Sequence, residues 1–137
     1  MSTRGMFVVR EFDGSESFNI YKHHDMYPEG AVECIETTVT RYSWPLPRFE
    51  ADEFAAALVA ASKGDVPGGM RLMQSGHWET VAPRDIAYVY IITQADKDLL
   101  IAAYDVTFNG IMDEFEKDRL FVGNLEQFRD FTKKDAA

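Results

Sequence analysis

The chain has 137 residues, a hydrophobic content of 46%, an aromatic content of 13% and a formal net charge of −9 at pH 7. This length suits one domain, residues 1–137, with a core that needs no staples, and the composition excludes a disordered chain. The charge argues against direct nucleic-acid binding, because phosphates demand a positive footprint. It fits a soluble protein with no charged partner, a binder of basic protein surfaces, or a mimic of nucleic-acid charge.

The first ten residues contain no long apolar stretch and no cleavage pattern, so no secretion signal is expected. No apolar run is long enough to cross a bilayer. The expected location is the cytoplasm, or the host cytoplasm for a phage-encoded chain. The single cysteine, Cys34, precludes an internal disulfide. It lies between Val32 and Ile35 in a helical pattern and reads as a small buried core residue.

Residues 5–12 alternate in a way that allows a first strand, with Val8 and Val9 β-branched. Asp13-Gly14-Ser15 is a hairpin signal. Residues 17–22 return as a second strand, with Phe18, Ile20 and Lys22 on one side and Asn19 and Tyr21 on the other. Val32, Ile35, Val39 and Tyr42 recur at helical spacing, and Glu29, Glu33 and Glu36 sit early, where the helix dipole favours acids. The spacing predicts a helix over 29–42, ended by Trp44-Pro45-Leu46-Pro47. Phe54, Leu58 and Ala61 form the stripe of a second helix over 51–63, rich in alanine. Gly64 to Gly69 form a loop.

Residues 70–74 read as a short strand and 75–85 as irregular. The clearest strand signal is 86–93, turned back by Gln94-Ala95-Asp96-Lys97 into a partner over 99–108 as a central antiparallel hairpin. The densest acidic cluster, 113–118, reads as a solvated loop or helix start. Residues 119–122 form a further edge strand. Leu125, Phe128 and Phe131 share a face of a terminal helix with a frayed tail. The expected fold is α+β, a single domain with an antiparallel sheet of about five or six strands and two or three helices packed on one face.

Candidate chemistry concentrates in Tyr21-Lys22-His23-His24-Asp25-Met26-Tyr27-Pro28-Glu29-Gly30. Histidine changes charge near neutral pH and is a common metal ligand. In an extended segment, however, His23 and Asp25 point to one side and His24 to the other, and no third ligand follows at motif spacing, so no metal site and no cofactor are expected. If the first two strands pair, Arg4 comes near His24 and Asp25. An Arg4–Asp25 clamp is then expected, since the guanidinium fork matches a carboxylate. The helix start after Pro28 offers free N–H groups to an anion, with Arg4, Lys22 and His24 as helpers, against repulsion by Glu29.

Ser75, His77 and Glu79 lie close in sequence, but triads converge in space, and no nucleophile elbow is present. His77 and Trp78 read instead as an exposed loop with an aromatic anchor for a partner. Tyr88 and Tyr90 share a strand face as half-buried sheet residues.

The opening Ser2-Thr3-Arg4-Gly5, followed by Tyr21, His23 and Asp25-Met26-Tyr27-Pro28-Glu29-Gly30, resembles a widespread set of small phage, prophage and bacterial proteins of uncharacterised function. These open with S-T-R-G and carry a Y-x-H-x-D-G-Y-P-x-G turn. The resemblance covers the N-terminal part of the chain, with a looser match to the 86–108 hairpin. This chain has Met26 where the set has glycine, a residue that would permit positive φ. The resemblance implies a phage or mobile-element context and no reaction.

Two functions follow as expectations. The first is a small acidic phage or mobile-element protein that binds and inhibits a host protein with a basic surface. Its size and charge resemble those of anti-defence, anti-CRISPR-like inhibitors. This reading assigns no catalytic residues and places binding on Arg4, His23, His24, Asp25, Tyr27, His77 and Trp78. The second is a small enzyme or nucleotide- or anion-binding protein using Arg4, His23, His24 and Asp25. The missing catalytic set favours the first. A homodimer is the default assembly from the commonness of two-fold symmetry.

Overall fold

A computed structural model describes residues 3–65, 67–73, 86–106 and 119–136. Strands β1, Gly5–Arg10, and β2, Ser17–Lys22, form the predicted hairpin, paired antiparallel from Gly5 opposite Lys22 to Arg10 opposite Ser17. Its tip places Gly14 at φ 76°, where a Cβ would be strained. The Ser15 N–H donates to Asp13 Oδ1 at 2.9 Å, and hydrogen bonds from Ser15 hold the Asp13 carboxyl below the usual carboxylate range.

Helix α1 spans Pro28–Thr37 and runs into a π-helical turn over Thr38–Tyr42, so the helix expected over 29–42 is present with a wider last turn. There the Thr38 and Thr40 hydroxyls donate to the Cys34 and Glu36 carbonyls at 2.7 and 2.9 Å, the back-bonding that loosens a helix ladder. Helix α2 spans Ala51–Ser62. Its first N–H, on Ala51, is satisfied by Glu11 Oε1 at 2.6 Å, across 40 positions of sequence.

Strand β3 is Met70–Met73, β4 is Tyr88–Ala95, β5 is Asp98–Asp105 and β6 is Arg119–Gly123; helix α3 is Leu125–Ala136. Asn124 and Gln127 cap α3 reciprocally. The Gln127 N–H donates to Asn124 Oδ1 and the Asn124 N–H to Gln127 Oε1, both at 2.8 Å.

The sheet order is β3-β2-β1-β4-β5-β6. The α+β class and the strand and helix numbers agree with the sequence. The sheet, however, is mixed, which corrects the all-antiparallel expectation. β1 and β4 pair in parallel, Gly5 opposite Tyr88 through Val9 opposite Ile92, while the other neighbours are antiparallel.

A parallel pair needs a long crossover, and here β2, α1, α2 and β3 intervene between β1 and β4. The sequence carried a signal for this. Met6, Phe7, Val8 and Val9 are all fully buried, as are Val89, Tyr90 and Ile92. Near-continuous apolar runs mark strands covered on both faces, whereas the reading of residues 5–12 assumed alternation.

All three helices pack on one face. There Phe7, Val9, Ile20, Tyr90, Ile92 and Ile101 meet Val32, Ile35, Phe54, Leu58 and Phe128. Met6, Val8, Tyr21, Val89 and Tyr104 form a second apolar cluster on the opposite face. Among the described residues, no helix is long and apolar enough to cross a membrane.

Candidate functional site

The turn between β2 and α1 is built around Met26. Asp25, not Met26, carries the left-handed backbone, at φ 60°. That leaves Met26 free to turn inward, where it is fully buried. Its N–H donates to the Thr3 carbonyl at 3.1 Å, and its carbonyl accepts the Tyr90 hydroxyl at 2.6 Å. Gly5 makes room for it: a Cβ on Gly5 would stand 2.9 Å from the Met26 Cβ and 2.8 Å from the Tyr88 carbonyl oxygen.

Tyr27 then caps α1 with extended backbone, and Pro28 occupies the first turn, where its missing N–H costs nothing. Gly30 lies against Asp25 so closely that an added Cβ would overlap the Asp25 carbonyl oxygen.

Beside this turn lies a cleft of about 460 Å3 between α1, the start of the turn and the C-terminal end of α2. Gly30, Glu33, Cys34 and Thr37 form one wall, a stripe at i, i+3, i+4 and i+7 on α1. Asp25, Tyr27 and Glu29 close one end, Lys22 enters from β2, and Ala61 and Ser62 face it from α2. Among the described residues, three carboxylates, of Asp25, Glu29 and Glu33, thus stand against one ammonium. The Lys22 ammonium donates to the His24 carbonyl, which spends part of its hydrogen-bonding capacity on the turn itself. Asp25 and Glu33 are exposed and Glu29 is half-buried, so the attraction for a cation comes from their summed charge at the cleft mouth rather than from burial.

The site residues expected from sequence divide between two faces. Asp25 and Tyr27 line the cleft; Arg4, His23 and His24 do not. His23 follows Tyr21 to the face away from the helices, and its Nδ1 lies 2.8 Å from the Tyr21 hydroxyl. Its N–H donates to the Gly69 carbonyl at 2.9 Å. The His24 ring meets His23 edge-on, with centroids 4.7 Å apart.

Arg4 is half-buried at the start of β1, and its carbonyl accepts the Ala87 N–H at 2.8 Å. The expected Arg4–Asp25 clamp is not formed. Asp25 is exposed and makes no ion pair among the described residues, because the left-handed turn carries its carboxylate to the cleft on the helix side. His77 and Trp78 lie outside the described residues.

Cys34 is half-buried and lines the cleft, although it was expected in the core. From the sequence, Glu33 reads only as an early helix acid and Cys34 only as a core position. Their shared register with Gly30 and Thr37 was the available sign of a common wall. Among the described residues, no three His, Cys, Asp or Glu side chains are grouped so as to hold a metal ion.

Tyr90 is the buried ionisable group beneath the turn. Burial, with Tyr88 and the Glu29 carboxylate nearby, pushes its phenol well above the usual tyrosine range. It is a neutral donor, suited to fixing the turn rather than to moving protons near neutral pH.

No protein-family model, no curated protein and no solved structure matches this chain.

Proposed function

We propose that this chain is a non-enzymatic binding protein that engages a basic surface on another protein, with the cleft beside Asp25 seating a lysine or arginine side chain of that partner. The observation that carries the reading is the cleft's charge: among the described residues, Asp25, Glu29 and Glu33 against Lys22. The whole molecule has the same sign, with a net charge of −9, so its field steers a basic partner toward the site and speeds encounter. An anionic ligand at the same helix start would meet three carboxylates, which weighs against the nucleotide- or anion-binding alternative.

The biological setting within this reading is a phage or mobile element, and the partner is a host protein that is inhibited by being bound, as anti-CRISPR-like inhibitors act. The support is the likeness of the Asp25–Gly30 turn to small phage and prophage proteins, together with size and charge.

The deciding experiment is affinity capture from bacterial lysate with the native chain and with the doubly reversed variant Asp25→Lys, Glu33→Lys. Native chain retaining one stoichiometric basic partner, lost from the variant at unchanged melting temperature, is the expected result. Capture of the same partner by both proteins rules the cleft out; capture of none by the native chain rules out the function.

A further inference from the structure

A second surface, distinct from the acidic cleft, lies at the β3 edge of the sheet. Among the described residues no strand lies outside β3. The register places Tyr21 opposite Arg71 and Ile20 opposite Leu72, and the His23 N–H takes the Gly69 carbonyl at 2.9 Å. Antiparallel ladders alternate bonded and non-bonded pairs. Arg71 and Met73 therefore bond inward to β2, while Leu72 turns its N–H and C=O outward. Among the described residues nothing pairs with these outward groups of Leu72.

The Leu72 side chain is 80% exposed, on the helix-bearing side with Ile20. It borders an apolar groove of about 390 Å3 floored by Phe18 and Ile20 and walled by Ala55, Ala56 and Val59 of α2. The alanines keep that wall low, which is why a groove exists. Asp52, one turn before Ala55 and Ala56, stands at its rim, and Glu16 lines the adjoining recess. Among the described residues no lysine or arginine lines either one. Arg71 belongs to the other face, where its Nε is 3.4 Å from the Gly68 carbonyl.

We propose that β3 and α2 form a strand-addition site for an extended segment of a partner protein whose alternate, α2-facing positions combine apolar residues with a flanking lysine or arginine. Its backbone pairs with Leu72, its apolar α2-facing side chains enter the groove, and the cations on that same face meet Asp52 and Glu16. The rim charge selects this occupant over a second copy of the chain. A second copy brings a further net charge of −9 and an edge strand of only 4 residues.

The test uses a blocked peptide whose alternate, α2-facing positions run lysine, valine, valine, lysine with threonine between them, with the same peptide carrying glutamate for lysine as contrast, followed by amide NMR of the full chain. The lysine peptide is expected to saturate, to shift the Leu72 and Val59 amides and to slow exchange of the Leu72 amide, while the glutamate peptide does not bind. Leu72→Pro removes the outward donor and the leucine side chain bordering the groove while sparing the inward ladder bonds, since proline is tolerated on an edge strand whose N–H faces solvent. It is expected to weaken the lysine peptide by about tenfold or more without loss of fold. Should Leu72→Pro not fold, Leu72→Lys, which keeps the N–H and repels the peptide, decides by the same loss. Unchanged affinity in the folded variants, shifts confined to Asp25–Glu33, or a dimer of the native chain that Leu72→Lys dissolves would each overturn the proposal.

Discussion

The Tyr90 hydroxyl donates to the Met26 carbonyl at 2.6 Å, joining positions 64 residues apart inside the core. Both residues are fully buried, so neither partner has water as an alternative. This bond explains how a non-glycine residue sits in the middle of the turn. Asp25 takes the left-handed conformation, Met26 is drawn inward, and the central strand β4 holds it there. The acidic cleft is positioned by that attachment, since Asp25 and Tyr27 flank Met26 directly.

Tyr90→Phe keeps the ring contacts with Phe7 and Phe128 and leaves the Met26 carbonyl unpaired. The expected cost is about 1–3 kcal/mol, read as a lower urea midpoint at unchanged slope. The variant also changes the alkaline limb. The folded phenol ionises above its unfolded value, so its contribution is whole below pH about 10 and is lost as pH rises beyond it. Native stability is therefore expected to fall more steeply above that pH than stability of Tyr90→Phe. Parallel curves would mean the phenol is not held neutral by burial.

Gly30→Ala is expected to destabilise, although alanine is better than glycine inside a helix by about 1 kcal/mol. The added methyl meets the Asp25 backbone rather than a yielding side chain, so turn and helix must separate. Thermal unfolding decides: a raised melting temperature would show that the two are not in contact in solution.

Glu11→Ala removes the carboxylate that caps the α2 N-terminus at Ala51. Glu50, at the cap position itself, supplies no side-chain bond. The expected loss is about 1 kcal/mol. Glu11→Gln, which keeps an acceptor oxygen but not the charge, should recover part of it in the same denaturation series.

Asp25→Gly separates a structural role from a binding one. It relieves a left-handed conformation that costs a non-glycine residue energy and adds glycine's chain entropy. Stability should stay within about 0.5 kcal/mol of native, or rise slightly. Affinity for a basic partner should nonetheless fall, because one of the three cleft carboxylates is gone. A large drop in melting temperature would instead make Asp25 part of the turn's framework.

The elements of this protein were legible in its sequence because they rest on neighbours in the chain. Asp13-Gly14 makes a hairpin wherever it lies between apolar runs, Pro28 and the early glutamates start a helix, and Leu125, Phe128 and Phe131 mark the buried face of another. The side-chain alternation of β2, with Lys22 opposite in sense to Tyr21, was equally local. What is not local was decided by the tertiary structure. The parallel pairing of β1 with β4 depends on where the chain returns after two helices, and no turn residue encodes that. The candidate site followed the same division. Its residue types were visible in the segment from Tyr21 to Gly30, but a left-handed backbone at Asp25 and a buried Met26, fixed by Tyr90 from a distant strand, sent Asp25 to one face and left His23 on the other. Charge and periodicity travel with the sequence; which charges share a cleft depends on long-range packing, which only the assembled core supplies.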